Sequence, residues 1–303
     1  MKATTLLPPV PVLSLARLDD YVQLARPRVA LLVLFTVGAG GTLASRGASD
    51  LALVAHAVIG TALVASGASC LNQWVERDSD AHMRRTENRP LPARRLVPAE
   101  ALALGVALAA SGLVYLFVWV SQPLTAGLAG LALVGYVGVY TPLKRITTLN
   151  TLIGAVPGAL PPVIGWTAVT GGFDAQALSL FLIVFVWQVP HFLAIAWMYR
   201  DDYARAGFRI LPVQDARGER TGREMVRYCL ALIPVSLLPA ALELAGPLYV
   251  VAALVLGGLF LRSCVGFVRC PALPQARRAL RASLIYLPCL LMVLVASHPG
   301  TSP

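Results

Sequence analysis

The sequence predicts an all-α polytopic membrane protein, a bundle of nine transmembrane helices, and three observations lead to this fold class. The chain of 303 residues is 57% hydrophobic and only 13% charged, whereas soluble domains carry about 25% charged residues. Its apolar residues form long runs, each able to cross a hydrocarbon core of about 30 Å. These runs lack the alternation of a membrane β-barrel, so helices must satisfy the backbone hydrogen bonds in lipid.

Nine apolar runs are predicted to span the membrane. In chain order they are 28–45, 51–72, 99–120, 124–141, 149–170, 176–198, 227–244, 247–263 and 281–297. On one side of the membrane they are joined by the short connections "RGASD", "SQPL", "GGFD" and "ELAGP". No linker divides the chain, so we expect residues 1–303 to form one membrane-embedded domain, with the segment 1–20 flexible.

The basic residues lie almost entirely on one side of this predicted bundle. Of the 25 Lys and Arg residues, all except Arg46 fall in or beside the N-terminal segment and the connections 73–98, 142–148, 199–226 and 262–281. The positive-inside rule makes that side cytoplasmic, with the N-terminus inside and the C-terminus outside. The net charge of +10 therefore reflects membrane topology and does not indicate a nucleic-acid partner.

The end of the second span carries three polar side chains at helical spacing. In "NQWVERDSDAHMRRTENRPLP", Asn72, Glu76 and Asp80 lie four residues apart, which places them on one helix face along roughly 12 Å. Carboxylates at a membrane boundary are costly unless they are paired or bound to a metal. The pattern suits a diphosphate bound through Mg²⁺, which prefers oxygen ligands and retains some water.

Arginines follow these acids directly. Arg84, Arg85 and Arg89 lie in "RRTENRP", and guanidinium groups bind phosphate oxygens in a bidentate manner. Acids for a metal and arginines for phosphate together predict a diphosphate-binding site. The alternative at this point is a charged interfacial loop that is held by its own salt bridges.

Two further stretches add polar groups. "YTPLKRITTLN" carries Lys144 and Arg145, and the prolines of the following "GAVPGALPPVIGW" predict a broken span, which is tolerated only against protein or a cavity. The sixth span contains Gln188 and His191, and a polar residue within a span suggests function, although a satisfied structural histidine is the alternative. His56 is interpreted as structural, because no polar residue lies near it in the sequence.

These three stretches together resemble the UbiA-type membrane prenyltransferases and, within them, the branch that farnesylates heme. The resemblance covers about residues 20–295 and includes "ARPRVALLVLFT", "YTPLKRITTLNTLIGAVPGALPPVIGW" and "WQVPHFLAIAWMYRDDYARAGFRILPV". It implies a helical bundle with a central cavity and transfer of the farnesyl group of farnesyl diphosphate to a vinyl side chain of heme b, which gives heme O. It also implies Mg²⁺ as the cofactor.

The resemblance assigns roles residue by residue. It implies metal binding by Asn72, Glu76 and Asp80, and catalysis by these residues together with Arg85, Arg89, Lys144 and His191. Diphosphate binding is implied for Arg84, Arg85, Arg89, Lys144 and Arg145. The second DxxxD motif of the wider family is missing here, because Tyr199 and Tyr203 stand at its two positions. These tyrosines, Asp201, Asp202 and His191 therefore become candidates for the heme pocket, and a second Mg²⁺ at this loop stays open.

Three rival functions remain to be weighed. A sister prenyltransferase that acts on a quinone precursor or a chlorophyll-type ring shares the diphosphate chemistry. A transporter would show inverted repeats and an ionisable relay, and neither is found; a purely structural subunit would not need three polar clusters on one face. We expect a bacterial inner membrane, or else a mitochondrial one, with membrane lipid around the chain. The resemblance alone implies downstream partners such as a heme A synthase or a terminal oxidase.

Overall fold

A computed structural model describes residues 15–45 and 48–298, and all regular structure in these ranges is helical. The helices are α1 Leu15–Ala25, α2 Pro27–Ala44, α3 Ala48–Asp80, α4 Pro98–Tyr115, α5 Pro123–Val134, α6 Thr141–Leu143, α7 Asn150–Gly158, α8 Pro161–Thr170, α9 Ala175–Met198, α10 Arg200–Arg205, α11 Leu211–Gln214, α12 Glu219–Ala241, α13 Pro247–Arg269 and α14 Leu273–Ala296. Two π-helical segments extend this set: Leu116–Val120 continues α4, and Gly135–Tyr140 links α5 to α6.

The predicted membrane bundle is confirmed. Within the described ranges, eight helical segments are long and apolar enough to cross a membrane, and the bent pair α1 and α2 makes up to nine. The fifth span is broken between α7 and α8, as its prolines predict. The second span is longer than its apolar run, because α3 continues past Asn72 to Asp80 and so carries the acidic residues on its last turns.

Two predictions concern the edges of the described ranges. Arg46, the predicted exception to the charge asymmetry, and residues 1–14 lie outside them. Residues 15–20, which were expected to be flexible, form the first turns of α1. An ion pair anchors them, since Nε of Arg95 lies 2.7 Å from Oδ1 of Asp20.

The α7–α8 span and α9 form the centre of the bundle. In the most apolar stretch of the α7–α8 span, 72% of the residues are buried, and in that of α9 the share is 61%. The corresponding shares in the other six spans, leaving aside the bent pair α1 and α2, are 17–39%. Large exposed side chains such as Phe117, Trp119 and Leu248 lie on the outer helices, where lipid is their natural neighbour. The central helices are therefore the ones placed to enclose a protein-lined cavity.

Close packing in the centre depends on glycine. A Cβ added at Gly165 of α8 would lie 1.9 Å from the carbonyl oxygen of Val37 on α2. Small residues allow such close helix approaches in membrane proteins. Because the obstacle is a backbone atom and not the end of a flexible side chain, the two helices would have to move apart to admit a methyl group.

We therefore expect Gly165→Ala to lower stability, although alanine favours helix over glycine by about 1 kcal/mol. Overpacking typically costs about 1–3 kcal/mol. The matched control is Gly258→Ala on α13, where nothing lies within 4 Å of the added carbon. Thermal unfolding of the purified protein in detergent should show a lower midpoint for Gly165→Ala only; equal midpoints would contradict the packing argument.

His56 has a hydrogen-bond partner that its neighbours in the sequence did not indicate. Its Nδ1 lies 2.8 Å from the hydroxyl of Tyr115, and its ring stacks on Trp119 with centroids 5.3 Å apart. Both partners belong to the α4 span, which packs against α3. The sequence around His56 did not reveal these neighbours because they are distant in the chain, and the structural interpretation of His56 agrees with this contact.

Candidate functional site

The last three turns of α3 direct one polar face towards the segment that follows α5. Asn72, Glu76 and Asp80 are all buried. Nδ2 of Asn72 donates to Oγ1 of Thr141 at 3.0 Å, and Nζ of Lys144 lies 2.8 Å from Oε1 of Glu76. The four-residue spacing thus places all three polar groups on one face, as the sequence predicted.

The connection after α3 folds back so that an arginine reaches Asp80. Oγ1 of Thr86 donates to the carbonyl oxygen of Asp80 at 2.8 Å, and Nη1 of Arg89 lies 2.5 Å from Oδ2 of Asp80. The other carboxylate oxygen, Oδ1, is buried and has no hydrogen-bond partner among the described residues. A buried carboxylate oxygen without a partner is costly, so this atom is suited to a ligand.

Lys144 stands between the acids and the aromatic groups of the α5–α6 segment. Its Nζ lies 4.5 Å from the ring centroid of Tyr140 as well as 2.8 Å from Glu76. Burial by itself lowers the pKa of Lys144, but Tyr140 and the Glu76 carboxylate outweigh it, so the pKa lies above its ordinary value. Lys144 is therefore a permanent positive charge, while the adjacent Arg145 donates to Ser79.

The loop around α10 contributes tyrosines to this cluster and not carboxylates. Arg85 donates to the hydroxyl of Tyr203 at 2.7 Å, and its guanidinium lies 4.9 Å and 4.8 Å from the ring centroids of Tyr199 and Tyr203. Asp202 pairs with a neighbouring arginine, and the Asp201 side chain is 88% exposed. In this loop the tyrosines thus fix Arg85, and the two aspartates point elsewhere.

Arg26 belongs to the cluster and was missed by the sequence analysis. It lies at the bend between α1 and α2 with a left-handed backbone, φ 51°, and it lines the central cavity. Its positive charge lies close enough to that of Arg89 for the two guanidinium groups to repel each other. The sequence signal that could have identified Arg26 was its position in the motif "ARPRVALLVLFT". Arg84, which the sequence analysis did propose for diphosphate binding, is exposed.

A central cavity of about 390 Å³ opens beside these charges. Arg26, Tyr136, Tyr140 and Lys144 form its polar end. Most of the remaining wall is apolar and comes from α2, α3, α5, α8, α9 and α14, including Leu32, Val64, Leu133, Ile164, Val184 and Leu287. Its volume is within the range of ligand pockets, and its polar end with an apolar interior suits an amphiphile with an anionic head.

Two polar residues of α9 lie in the same cavity wall. Nε2 of Gln188 donates to the carbonyl oxygen of Ala155 at 2.8 Å, so this side chain also supports the broken span. Nδ1 of His191 lies 2.8 Å from Oγ of Ser283, and its ring stacks on Trp187. His191 is thus held in a fixed orientation within the cavity that Lys144 also lines.

The donor set is compatible with Mg²⁺. Within the described residues, no three His, Cys, Asp or Glu side chains converge on a common point, so the acids alone do not form a closed metal cage. Mg²⁺ commonly uses one or two carboxylates with retained water and substrate phosphate. Glu76, Asp80 with its unpartnered Oδ1, and the amide oxygen of Asn72 supply such an incomplete set of hard oxygens.

Comparison with known proteins identifies the family. Residues 33–294 match the model of the UbiA prenyltransferase family. The chain belongs to this family. Within it, the chain is 46% identical over 290 residues to the protoheme IX farnesyltransferase of Solibacter usitatus, a match that covers 93% of this chain and 99% of that protein. It is therefore an integral membrane protein of the UbiA family.

Solved UbiA structures share the fold. Digeranylgeranylglyceryl phosphate synthase superposes with a TM-score of 0.74 at 18% identity, over 93% of this chain and 99% of the other. A UbiA homologue from Archaeoglobus fulgidus bound to GPP and Mg²⁺ gives a TM-score of 0.60 at 16% identity, over 91% and 99%. These likenesses confirm the predicted UbiA-type fold class, and the eight or up to nine spans of the described ranges are consistent with the predicted nine.

Proposed function

We propose that this chain transfers the farnesyl group of farnesyl diphosphate to a vinyl side chain of heme b, giving heme O and diphosphate. One observation carries the proposal: Lys144 and Arg26, two cationic side chains, line a largely apolar cavity whose wall also includes His191. Relatives named protoheme IX farnesyltransferase, 46% identical over nearly the whole chain, support heme as the acceptor.

The cations act on the leaving group. Arg89 and Lys144 pair with Asp80 and Glu76, and both cations would bind diphosphate oxygens when the acids hold a metal. Fixed positive charges at the place where charge develops lower the barrier without reorganisation. Arg26 adds a further positive charge to the cavity wall, and Arg85 donates a hydrogen bond to the hydroxyl of Tyr203.

Asn72, Glu76 and Asp80 would hold Mg²⁺, which when bound acts as a Lewis acid on the diphosphate oxygens. Support comes from the unpartnered Oδ1 of Asp80 and from the Archaeoglobus homologue, which is described as bound to GPP and Mg²⁺. The alternative of a loop held only by salt bridges accounts for the two ion pairs but not for this unpartnered oxygen.

The proposed reaction balances as follows. The bond between C1 of the farnesyl group and the diphosphate oxygen breaks, and its electron pair leaves with diphosphate. The vinyl π bond attacks C1, so a carbon–carbon bond forms and a cation remains beside the porphyrin. Water adds to that cation and loses a proton, which gives the hydroxyethylfarnesyl group. The apolar wall keeps water from the first cation.

Ser283 lies between His191 and a backbone carbonyl group: its Oγ is 2.8 Å from Nδ1 of His191 and 2.7 Å from the carbonyl oxygen of Leu280. We propose that the hydroxyl donates to Leu280 and accepts from His191, so that Nδ1 carries the proton. In the neutral ring the lone pair is then on Nε2. We propose that Nε2 binds or orients the heme acceptor.

Replacing His191 by Ala should therefore weaken heme b binding about tenfold or more and leave the release of diphosphate less affected. Soret absorbance during a heme titration of the purified protein measures the first quantity. The matched control is His56→Ala, because His56 belongs to a separate contact with Tyr115 and Trp119. Equal heme affinity in both variants would contradict the acceptor role of His191.

The chain is proposed to act as one prenyltransferase domain over residues 1–303 in a bacterial inner membrane, with the charged loops cytoplasmic and the C-terminus outside. The positive-inside distribution of Lys and Arg supports this orientation. Heme O would pass to a heme A synthase or to the assembly of a terminal oxidase.

An extract assay tests the proposed function. Membranes that contain the chain receive heme b, farnesyl diphosphate and Mg²⁺, and mass spectrometry detects heme with a hydroxyethylfarnesyl group. We expect this product, and we expect chelation of Mg²⁺ to abolish it. If diphosphate is released only with a quinone precursor or chlorophyll-type acceptor, the heme assignment is wrong while the prenyltransferase assignment remains.

A further inference from the structure

A second cavity, of about 490 Å³, lies between α7, α9 and α12 at the end of the bundle that carries the charged loops. None of the residues that line it also lines the central cavity. Helices α7 and α9 form the wall between the two: Leu152 and Val189 face the second cavity, whereas Gly154 and His191 face the central one. We name this second cavity the lateral groove.

The floor of the lateral groove is apolar. It consists of Leu149, Leu152, Val189, Leu193 and Leu211. Leu149 remains 56% exposed, and α7 and α12 both pack on α9. The groove is thus a cleft over α9, at the membrane end of the charged loops, and its apolar floor is exposed at Leu149 and buried at Val189 and Leu193.

The rim of the lateral groove is basic. Arg220, Arg223 and Arg227 lie three and four residues apart on α12, so they follow one helix face along about 10 Å. Arg227 pairs with Glu224, with Nη1 and Oε1 2.7 Å apart. Within residues 15–45 and 48–298, neither Arg220 nor Arg223 forms an ion pair, so two positive charges face the groove uncompensated.

We propose that the lateral groove binds one anionic phospholipid from the leaflet beside the charged loops. The phosphate would lie between Arg220 and Arg223, and an acyl chain would cover Leu149 and Leu152. Three features support this occupant: the apolar floor at the membrane boundary, the uncompensated guanidinium groups, and their fit to phosphate oxygens. Basic pockets between transmembrane helices on this side of membrane proteins bind anionic head groups.

The substrates of the proposed reaction fit this groove less well. A heme or farnesyl diphosphate in it would be separated from Lys144 and His191 by α7 and α9. The lipid proposal does not depend on the proposed function, since it uses only residues outside the central cavity. A bound lipid would contact α7 and α9 on the side away from the central cavity and so stabilise the wall that these helices form.

The test uses the full-length protein in mixed micelles that contain equal amounts of phosphatidylglycerol and phosphatidylcholine. Native mass spectrometry counts the retained lipids, and thermal unfolding measures stabilisation by phosphatidylglycerol. The test variant carries Arg220→Gln with Arg223→Gln. The matched control carries Arg277→Gln with Arg281→Gln, two exposed arginines at the start of α14 that do not line the groove.

We expect the wild type and the control to retain one phosphatidylglycerol at least tenfold more often than the test variant, and only they should gain thermal stability from it. Leu149→Glu, which places a negative charge on the floor, should reproduce the loss. Equal retention in all four proteins overturns the proposal. So does weaker heme b binding by the test variant in lipid-free detergent with unchanged lipid retention, because the groove would then hold heme carboxylates.

Discussion

We expect Asp80→Asn to lower the rate of heme farnesylation by about 100-fold or more, an increase of roughly 2.7 kcal/mol in the activation barrier. The carboxylate of Asp80 is almost fully buried, one oxygen contacts Arg89 at 2.5 Å, and the other has no partner among the described residues. Asparagine keeps the shape of the side chain but removes the negative charge that a metal–diphosphate complex requires. Product formation by mass spectrometry at saturating Mg²⁺ measures the loss.

The control for this variant lies two residues earlier on the same helix. The side chain of Asp78 is 80% exposed, so Asp78→Asn makes the same chemical change outside the site and should retain near-normal activity. Removing one member of a buried ion pair also costs stability, and the elution profile in detergent must therefore show that Asp80→Asn is folded. A folded Asp80→Asn protein with normal activity would refute the metal assignment.

We expect Lys144→Met to lower the rate by a similar factor, about 100-fold, because it removes a buried positive charge from the cavity wall and leaves Glu76 unpaired. Single charged donors at such preorganised sites contribute factors of about 100–1,000. The variant should release diphosphate slowly even with saturating farnesyl diphosphate, so the loss is in kcat. Arg217→Met, at a side chain that is 87% exposed, is the matched control.

The pH dependence of the wild type provides a further check on Lys144. Its pKa is raised in the folded protein, so its contribution to stability is fully present below the unfolded value of about 10.4 and is lost only as the pH rises through the higher folded value. Between pH 6 and 9 we therefore expect no change in activity or stability from this residue. A loss between pH 8 and 9 that Lys144→Met removes would contradict the assignment.

The shared helix face of the two carboxylates and the nearby position of Arg89 could be predicted from the sequence because local rules govern them, whereas Lys144 reaches Glu76 from 68 residues away. Asn72, Glu76 and Asp80 are one helical turn apart, so any helix through them presents one polar face. The pairing of Asp80 with Arg89 is also nearly local, since only a short turn separates the two residues. The loop partner of Arg85 was harder to foresee, because Tyr203 is distant in sequence and contacts it only through folding of the α10 loop.

Arg26 shows most clearly where the sequence was insufficient. It lies in a bend between two helices, and nothing in its local spacing marks it as part of the site. Only the packing of α1 and α2 against α3 brings it close to Arg89 and into the cavity wall. The lateral groove has the same origin, since its floor and rim come from α7, α9, α11 and α12, four helices that are separate in the chain.

The sequence by itself determined the membrane bundle, the broken span, the helical face of acids and the family, because hydrophobic run length, proline position and residue spacing are properties of the chain alone. The tertiary structure decided which charges meet: Lys144 with Glu76, Arg26 beside Arg89, and His191 against Ser283. The physical reason is that burial and electrostatic interaction depend on distance in space, and residues far apart in sequence acquire that distance only when helices pack.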